Sequence, residues 1–287
     1  MTRFEHKPVL AAEVLEGLAL QPGAVILDGT VGLGGHAGLI LEKTAPQGMV
    51  IGFDRDERNL ALAREHLAPF GDRVRLVNDS FASMEAYGVP PLDGVLMDLG
   101  FSSVHVDDPE RGFSFMHDGP LDMRYDTRQE LTAAMVVNSW SKDDLAWMLR
   151  KYGEEPWAMK IAVAIMTARR VKKFTRTSEL AELIEAHVRR VGKAHPATRT
   201  FQALRIVVND ELGEVERGLR SAVALLKPGG RLVVITFHSL EDRLVKLFMK
   251  GEKGLSIVTK RPMTATREEI VANPRSRSAK LRIATKI

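Results

Sequence analysis

Four short apolar runs in the first hundred residues, each ending at or near an aspartate, constrain this chain more than anything else in it. Val25-Ile26-Leu27 leads into Asp28, Met49 to Phe53 into Asp54, Arg73 to Val77 to just short of Asp79, and Gly94 to Met97 into Asp98. Runs this short and this continuously apolar read as strands buried on both faces, which belong to parallel sheets covered by helices on each side. The segments between them supply the helices. Glu57 to Leu67 carries Leu60, Ala63 and Leu67 at helical spacing, with Asp56 placed to cap its start. A fifth run, Arg231 to Ile235, follows the stop signal Lys227-Pro228-Gly229-Gly230. The expected fold class is α/β, a doubly wound, mostly parallel sheet.

The gap from Asp98 to Arg231 far exceeds the dozen or so residues that a crossover needs, so a small helical domain is expected there. Ser141 to Asp144 forms a capping-box pattern for a helix ending near Gly153. Glu155-Pro156 precedes a second helix, Trp157 to Arg170, and Thr177-Ser178 caps a third, Glu179 to Arg190, closed by Gly192. Helices after Pro196 return to the core. The expected domains are therefore 1–105 with 207–287, and an insert at 106–206. Beyond the fifth strand, Ser239 to Lys250 reads as a helix, and Leu255 to Thr259 and Ala279 to Ile287 read as closing strands. The arginine-rich stretch between those strands reads as a loop.

Composition removes several classes of function. The chain has no cysteine, which excludes disulfides, thiolate metal sites and cysteine nucleophiles, and no metal site is expected. No run approaches the roughly 18–20 apolar residues that cross a bilayer. Met1 to Lys7 lacks the apolar segment and cleavage site of a secretory signal. The expectation is a cytoplasmic protein with no membrane partner. The net charge of +4 is too small to identify a partner, and the oligomeric state, a homodimer included, is not set by the sequence.

Ligands of open parallel sheets bind outside the carboxyl ends of the strands, where the acids lie. Asp28 is followed by Gly29-Thr30-Val31-Gly32-Leu33-Gly34-Gly35-His36, a loop whose glycines let the backbone approach a ligand closely. Asp54 lies about twenty residues beyond those glycines, the usual place for an acid that holds a ribose diol. One aspartate at a strand end is most simply a helix cap. Four in succession, with a glycine loop at the first, favour a ligand site.

Both NAD and S-adenosylmethionine suit a glycine loop with a ribose-binding acid. Asp28, however, stands where it would face the pyrophosphate of NAD, and a pyrophosphate needs donors and positive potential. S-adenosylmethionine presents a sulfonium and an ammonium and has no phosphate, so it is the expected cofactor. A nicotinamide-dependent dehydrogenase is the rival enzyme. A catalytically inactive RNA-binding Rossmann protein is the rival of another class, and a methyltransferase acting on another RNA, a small molecule or a protein is a further alternative.

The motif Asp28 to His36 resembles that of the ribosomal RNA small-subunit methyltransferase H family, also called MraW. The resemblance continues through Asp98 to Ser103, Asp107 to Phe115, Gly119 to Arg124, Arg199 to Arg205, Phe237 to Arg243 and Asn273 to Arg282, nearly the whole chain. It implies a class I, Rossmann-like methyltransferase that transfers a methyl group to N4 of a cytidine in the decoding region of 16S ribosomal RNA, with that RNA or the small ribosomal subunit as partner. It also implies a cofactor site lined by Asp28, Gly32, Gly34, Gly35 and His36, with Asp54 on the ribose, Phe81 beside the adenine and Asp98 near the methionine part. The family usually has Gln where this chain has His105, whose imidazole can also donate or accept.

Methyltransferases acting on base amino groups often carry an acid or amide, two prolines and an aromatic after the fourth strand. Asp98-Leu99-Gly100-Phe101 keeps the acid and the aromatic without the prolines. Asp98 is expected to accept a hydrogen bond from the amine and Phe101 to stack on the base, a core aromatic being the equal alternative for Phe101. His238 is a candidate for proton relay or phosphate contact, with a structural role at a helix start as the alternative. For RNA, Arg169, Arg170, Lys172, Lys173 and Arg176 surround Phe174, with Arg189, Arg190, Lys193, Arg199 and Arg205 following. Arg275, Arg277, Lys280, Arg282 and Lys286 form a second basic group. Basic clusters with an aromatic among them suit phosphate neutralisation and base stacking, although a charge run is usually a solvated face.

Overall fold

The structure is a computed structural model that describes residues 7–100, 103–190 and 195–287. The chain divides into two compact units, Met1–Gly100 with Leu212–Ile287, and Phe101–Glu211. The first contains α1 (Ala11–Leu18), β1 (Val25–Asp28), α2 (Gly35–Lys43), β2 (Met49–Phe53), α3 (Glu57–Leu67), β3 (Val74–Val77) and β4 (Leu92–Asp98). The second contains α4 (Ser103–Asp107), α5 (Ala133–Ser139), α6 (Lys142–Gly153), α7 (Ala158–Ala168), α8 (Thr177–His187) and α9 (Thr198–Asn209). The chain continues through α10 (Glu211–Leu225), β5 (Leu226–Thr236), α11 (Ser239–Gly251), β6 (Leu255–Ile257), α12 (Arg267–Ala272) and β7 (Lys280–Lys286).

The seven strands form one sheet in the order β3-β2-β1-β4-β5-β7-β6. The first five are mutually parallel, while β7 runs antiparallel to both β5 and β6. Each central strand divides its apolar residues between two cores. Leu27, Ile51, Val95, Met97, Leu232 and Val234 lie in one, with Val215, Leu219 and Val223 of α10. Ile26, Val50, Leu96, Val233 and Ile235 lie in the other, with Val14 of α1 and Ile40 of α2. Burial on both faces is why these strands read as unbroken apolar runs and not as an alternating pattern. The chain order reverses between β1 and β4, whose carboxyl ends are therefore free to diverge around a ligand.

The second unit has a core of its own, built from Leu145, Met148 and Leu149 of α6, Ile161 and Ile165 of α7, Leu180 and Ile184 of α8, and Leu204 of α9. The end of α9 bonds within this unit. Asn209 accepts from the Tyr125 backbone N–H at 2.8 Å and donates to the Met123 carbonyl at 2.8 Å. Glu211 takes Arg205 Nε at 2.8 Å and the Tyr125 hydroxyl at 3.0 Å. Tyr125 and Met123 stand more than eighty residues from Asn209 and Glu211, out of reach of local pattern.

Local signals held where side chains cap their own helices. Asp56 accepts from the Arg58 N–H at 2.9 Å and Ser141 from the Asp144 N–H at 3.1 Å. Thr177 is a correction: it is the first helical residue of α8, and its buried hydroxyl accepts from the Gly119 N–H at 3.1 Å. Asp118 bonds the first turn instead, accepting from the Ser178 N–H at 3.1 Å. Its contacts with Ser178 and then Arg176 hold its carboxyl down to about 2. The arginine-rich stretch is also not a bare loop. It forms α12 and a short 3-10 turn, Pro274–Ser278. Glu269 of α12 accepts from the Leu10 N–H at 2.8 Å, a tertiary tie invisible in the sequence. Gly192 lies outside the described residues. Among the described residues no helix is long and apolar enough to cross a membrane.

Candidate active site

β1 and β4 are neighbours in register, Asp28 opposite Leu96, so their terminal carboxylates come together at the point where the sheet order reverses. The loop after Asp28 turns sharply. The Thr30 N–H donates to Asp28 Oδ1 at 3.1 Å, and the Thr30 hydroxyl accepts the Asp98 N–H at 2.7 Å, pinning the end of β4 to that loop. Gly32 and Gly34 hold φ of +52° and +86°, in the left-handed region. A Cβ on Gly34 would also sit 3.0 Å from Leu67, so the turn into α2 needs glycine there for conformation and for space. Gly35 opens α2, and His36 follows it, buried.

Asp54 is tied to the same loop. Its carboxylate accepts from the Gly32 N–H at 3.1 Å, the Asp56 N–H at 2.8 Å and Asn59 Nδ2 at 3.2 Å. Asn78 donates to the carbonyls of Asp54 and Arg55 at 3.1 and 3.2 Å, holding β3 against the end of β2. The fourth acid of the row, Asp79, is a structural residue: it accepts from the Ser80 N–H and the Tyr87 hydroxyl, both at 2.7 Å. Phe81 follows it and packs on Gly29 at the end of β1, where a Cβ would stand 3.0 Å from the Phe81 Cβ, and on Gly218 of α10. Ser80 donates to Glu214 of α10.

The electrostatics are concentrated in three groups. Asp28 is only 1 % exposed, and burial pushes its pKa up to about 7 against the opposing pull of His36 and the Thr30 N–H. His36 Nε2 lies 3.5 Å from Asp98 Oδ2. Burial works to lower the pKa of His36, but the contact with Asp98 and the charges of Asp98 and Asp28 outweigh it, leaving that pKa raised. Among the described residues, His36 Nε2 and Asp98 Oδ1 are both buried without a hydrogen-bond partner. Buried polar atoms are almost always satisfied, and two orphans side by side mark a place where a polar ligand completes the bonding. Clustered acids beside a glycine turn would repel a pyrophosphate and suit a sulfonium and an ammonium. The residues therefore fit S-adenosylmethionine.

Phe101, His105 and His238 were also expected at the site. Phe101 lies outside the described residues. His105 is buried in the second unit among Phe113 and Tyr125, with ring centroids 4.9 and 5.0 Å away. His238 is the N-cap of α11: its Nδ1 accepts from the Glu241 N–H at 3.3 Å, and Glu241 accepts in return from the Phe237 and His238 N–H groups. That is the structural role at a helix start. The sequence reading missed Thr30 and Asn78, although Thr30 stands inside the glycine motif and a hydroxyl there is a usable signal. Ser80–Glu214 spans too long a separation to be read.

The basic residues divide sharply. Arg170, Lys172 and Lys173 are exposed, and Lys172 pairs with Glu179 at 2.5 Å. Arg169 donates to the Val137 carbonyl at 2.7 Å and Arg199 to the Glu154 carbonyl at 2.8 Å. Arg275 and Arg277 are exposed on the turn after α12. Three expectations are corrected. Phe174 is 5 % exposed, inside the second core, where no base could stack on it. Arg205 is buried against Glu211. Lys280 and Arg282 are both bound to Asp242, at 3.3 and 2.7 Å, joining β7 to α11.

A doubly wound sheet with an antiparallel β7 between β5 and β6, and an acid-lined glycine turn at its reversal point, is that of a class I, Rossmann-like methyltransferase that uses S-adenosylmethionine. The MraW methylase family matches residues 3–287, and the chain belongs to that family. It is 49 % identical to the ribosomal RNA small subunit methyltransferase H of Symbiobacterium thermophilum, covering 99 % of this chain and 97 % of that one. The Geobacter sulfurreducens protein of the same name is 50 % identical over 99 % of each chain, and that of Trichormus variabilis 52 % identical over 99 % of this chain and 92 % of that one.

Proposed function

We propose that this protein methylates small-subunit ribosomal RNA, at N4 of a cytidine in the decoding region of 16S RNA. The substrate class is supported by full-length relatives named for that activity at about half identity. The atom and the position are what the resemblance of the sequence motifs to that family implies. The observation that carries the chemistry is the orphaned Asp98 Oδ1 at the end of β4, next to His36.

Bound there, S-adenosylmethionine supplies an electrophilic methyl group on a cationic sulfur. The protein's part is to hold that cation and to align the amine. Asp28 and Asp98 would favour positive charge beside them, Asp54 would hold the ribose hydroxyls, and Phe81 would cover the adenine. Gly32, Gly34 and Gly35 leave room for close approach of backbone. A cytosine amine is a weak nucleophile because its lone pair is conjugated with the ring. Accepting one amine hydrogen at Asp98 Oδ1 turns that lone pair toward the methyl carbon, and alignment of this kind removes much of a barrier. The proton becomes acidic as the N–C bond forms, and Asp98 would take it, with His36 beside it to share the charge. Phe101 stacking on the base belongs to the same reading. His238 serves as a cap in this scheme and its relay role is a lesser alternative.

The test is transfer of a labelled methyl group to small ribosomal subunits lacking the modification, followed by nucleoside analysis. Labelled N4-methylcytidine is expected. Cofactor binding without transfer would reject the ribosomal substrate and leave the methyltransferase class standing.

A further inference from the structure

The second unit carries a groove of about 750 Å3 along α7, from Pro156 to Ala168, bounded on its other side by α8. Its floor and walls include Trp157, Lys160, Val163, Thr167, Leu183 and His187. Trp157 and Val163 are 46 % and 47 % exposed, well above what a core residue shows. The lining holds a lysine and a histidine and no carboxylate. Basic residues continue past the end of each helix: Arg170, Lys172 and Lys173 after α7, Arg189 and Arg190 after α8, all exposed. The acid one turn before Leu183 on α8 is Glu179, and it is engaged by Lys172 and by the N–H groups of Thr175 and Arg176.

An apolar, aromatic trough with cations at its margins has a specific complement. A second copy of this chain is a poor one, because a two-fold pairing would set one basic margin against the other. A polyanion with flat apolar faces is a good one, since bases stack on aromatic side chains while lysine and arginine neutralise the phosphates. We propose that the α7–α8 groove binds an unpaired stretch of the RNA substrate, with Trp157 stacking on a base and Lys160 and the flanking cations contacting phosphate. The inference rests on the RNA reading above and adds a docking surface to it. Phe174, the aromatic inside the basic run, lies in the core, and the exposed ring is Trp157, the residue just before α7.

The test measures binding of the full-length protein to a labelled single-stranded oligouridylate and to an unmodified small-subunit RNA fragment, over a range of salt. Trp157→Ala is expected to weaken both about tenfold, as loss of one stacked base does, and Trp157→Phe to retain most of the affinity. Lys160→Glu should weaken binding and reduce the log–log salt slope by about one. Trp147→Ala is the control. That ring is 49 % exposed on α6, under Lys151, and its loss should leave affinity unchanged. Melting temperatures of all variants exclude a folding defect. Wild-type affinity in both Trp157→Ala and Lys160→Glu overturns the proposal and gives the groove to an apolar protein segment. Methyl transfer by the wild type is scored separately. A protein that transfers to ribosomal subunits but ignores Trp157 loses only the groove, whereas one that binds RNA through Trp157 but transfers nothing keeps the groove and loses the assigned substrate.

Discussion

Asp28, His36 and Asp98 are close enough that a charge placed on one is felt by the others. The sign of the coupling can be worked out. In the free protein Asp28 titrates near 7, so below that pH it is mostly protonated. A cationic cofactor beside it favours the carboxylate, so binding at acid pH must release a proton. His36, its pKa raised by its acidic neighbours, would release a proton to solvent when a cation binds beside it, because like charges repel. Asp28 makes cofactor affinity rise as pH climbs toward 7, and His36 works in the same direction. Calorimetric titration from about pH 5.5 to about pH 8 reads this directly, and a flat profile would sink it. The folding consequence has the opposite sign. A carboxyl raised above its unfolded value contributes most stability below that unfolded value and loses it as pH rises through 7. Asp28→Asn should therefore melt higher than wild type above pH 7 while binding cofactor less tightly, a stability gained at the cost of the site. For Asp98→Asn, kcat should fall about 10²- to 10⁴-fold, and by more than cofactor affinity does, since both alignment and proton acceptance are lost. Equal losses in both would reassign Asp98 to cofactor binding alone.

Among the elements, those that declared themselves locally were the ones whose polar ends are satisfied by their own residues. α3 and α6 begin where their caps, Asp56 and Ser141, predicted. α8 begins at Thr177 because Asp118, some sixty residues earlier, supplies its first-turn bond. α9 depends on a buried ion pair, Arg205 with Glu211, whose charges are almost entirely removed from water. Breaking such a pair from one side strands the other charge, so Glu211→Ala should destabilise the protein by roughly 3–5 kcal/mol. A shifted urea midpoint with unchanged slope is the expected result, and an unchanged midpoint would mean that Arg205 finds water or another acid. The surface pair Lys172–Glu179 is worth far less, being mostly exposed on the lysine side.

For the molecule as a whole, two separate cores in the sheet unit and a third in the insert mean that ligand effects can be assigned to a unit. S-adenosylmethionine should raise the melting temperature of the sheet unit by several degrees when present well above its dissociation constant, because only the folded site binds it. NAD should not, since clustered acids meet its phosphates, and a comparable shift with NAD would revive the dehydrogenase reading. What could be read without the structure was everything set by local period and spacing: seven strands, the capped helices, the glycine turn, and a row of acids at the strand ends. Continuous apolar runs and side-chain caps are short-range properties, written within a few residues of where they act. The tertiary structure decided which of those groups meet. It brought Asp28, His36 and Asp98 together and gave Asp79 to Tyr87. It buried Phe174, paired Arg205 and Arg282 with acids, and left Trp157 open beside a basic margin. Each of these is a contact between elements, and its energy comes from the loss of water around both partners at once, a quantity that no single stretch of sequence contains.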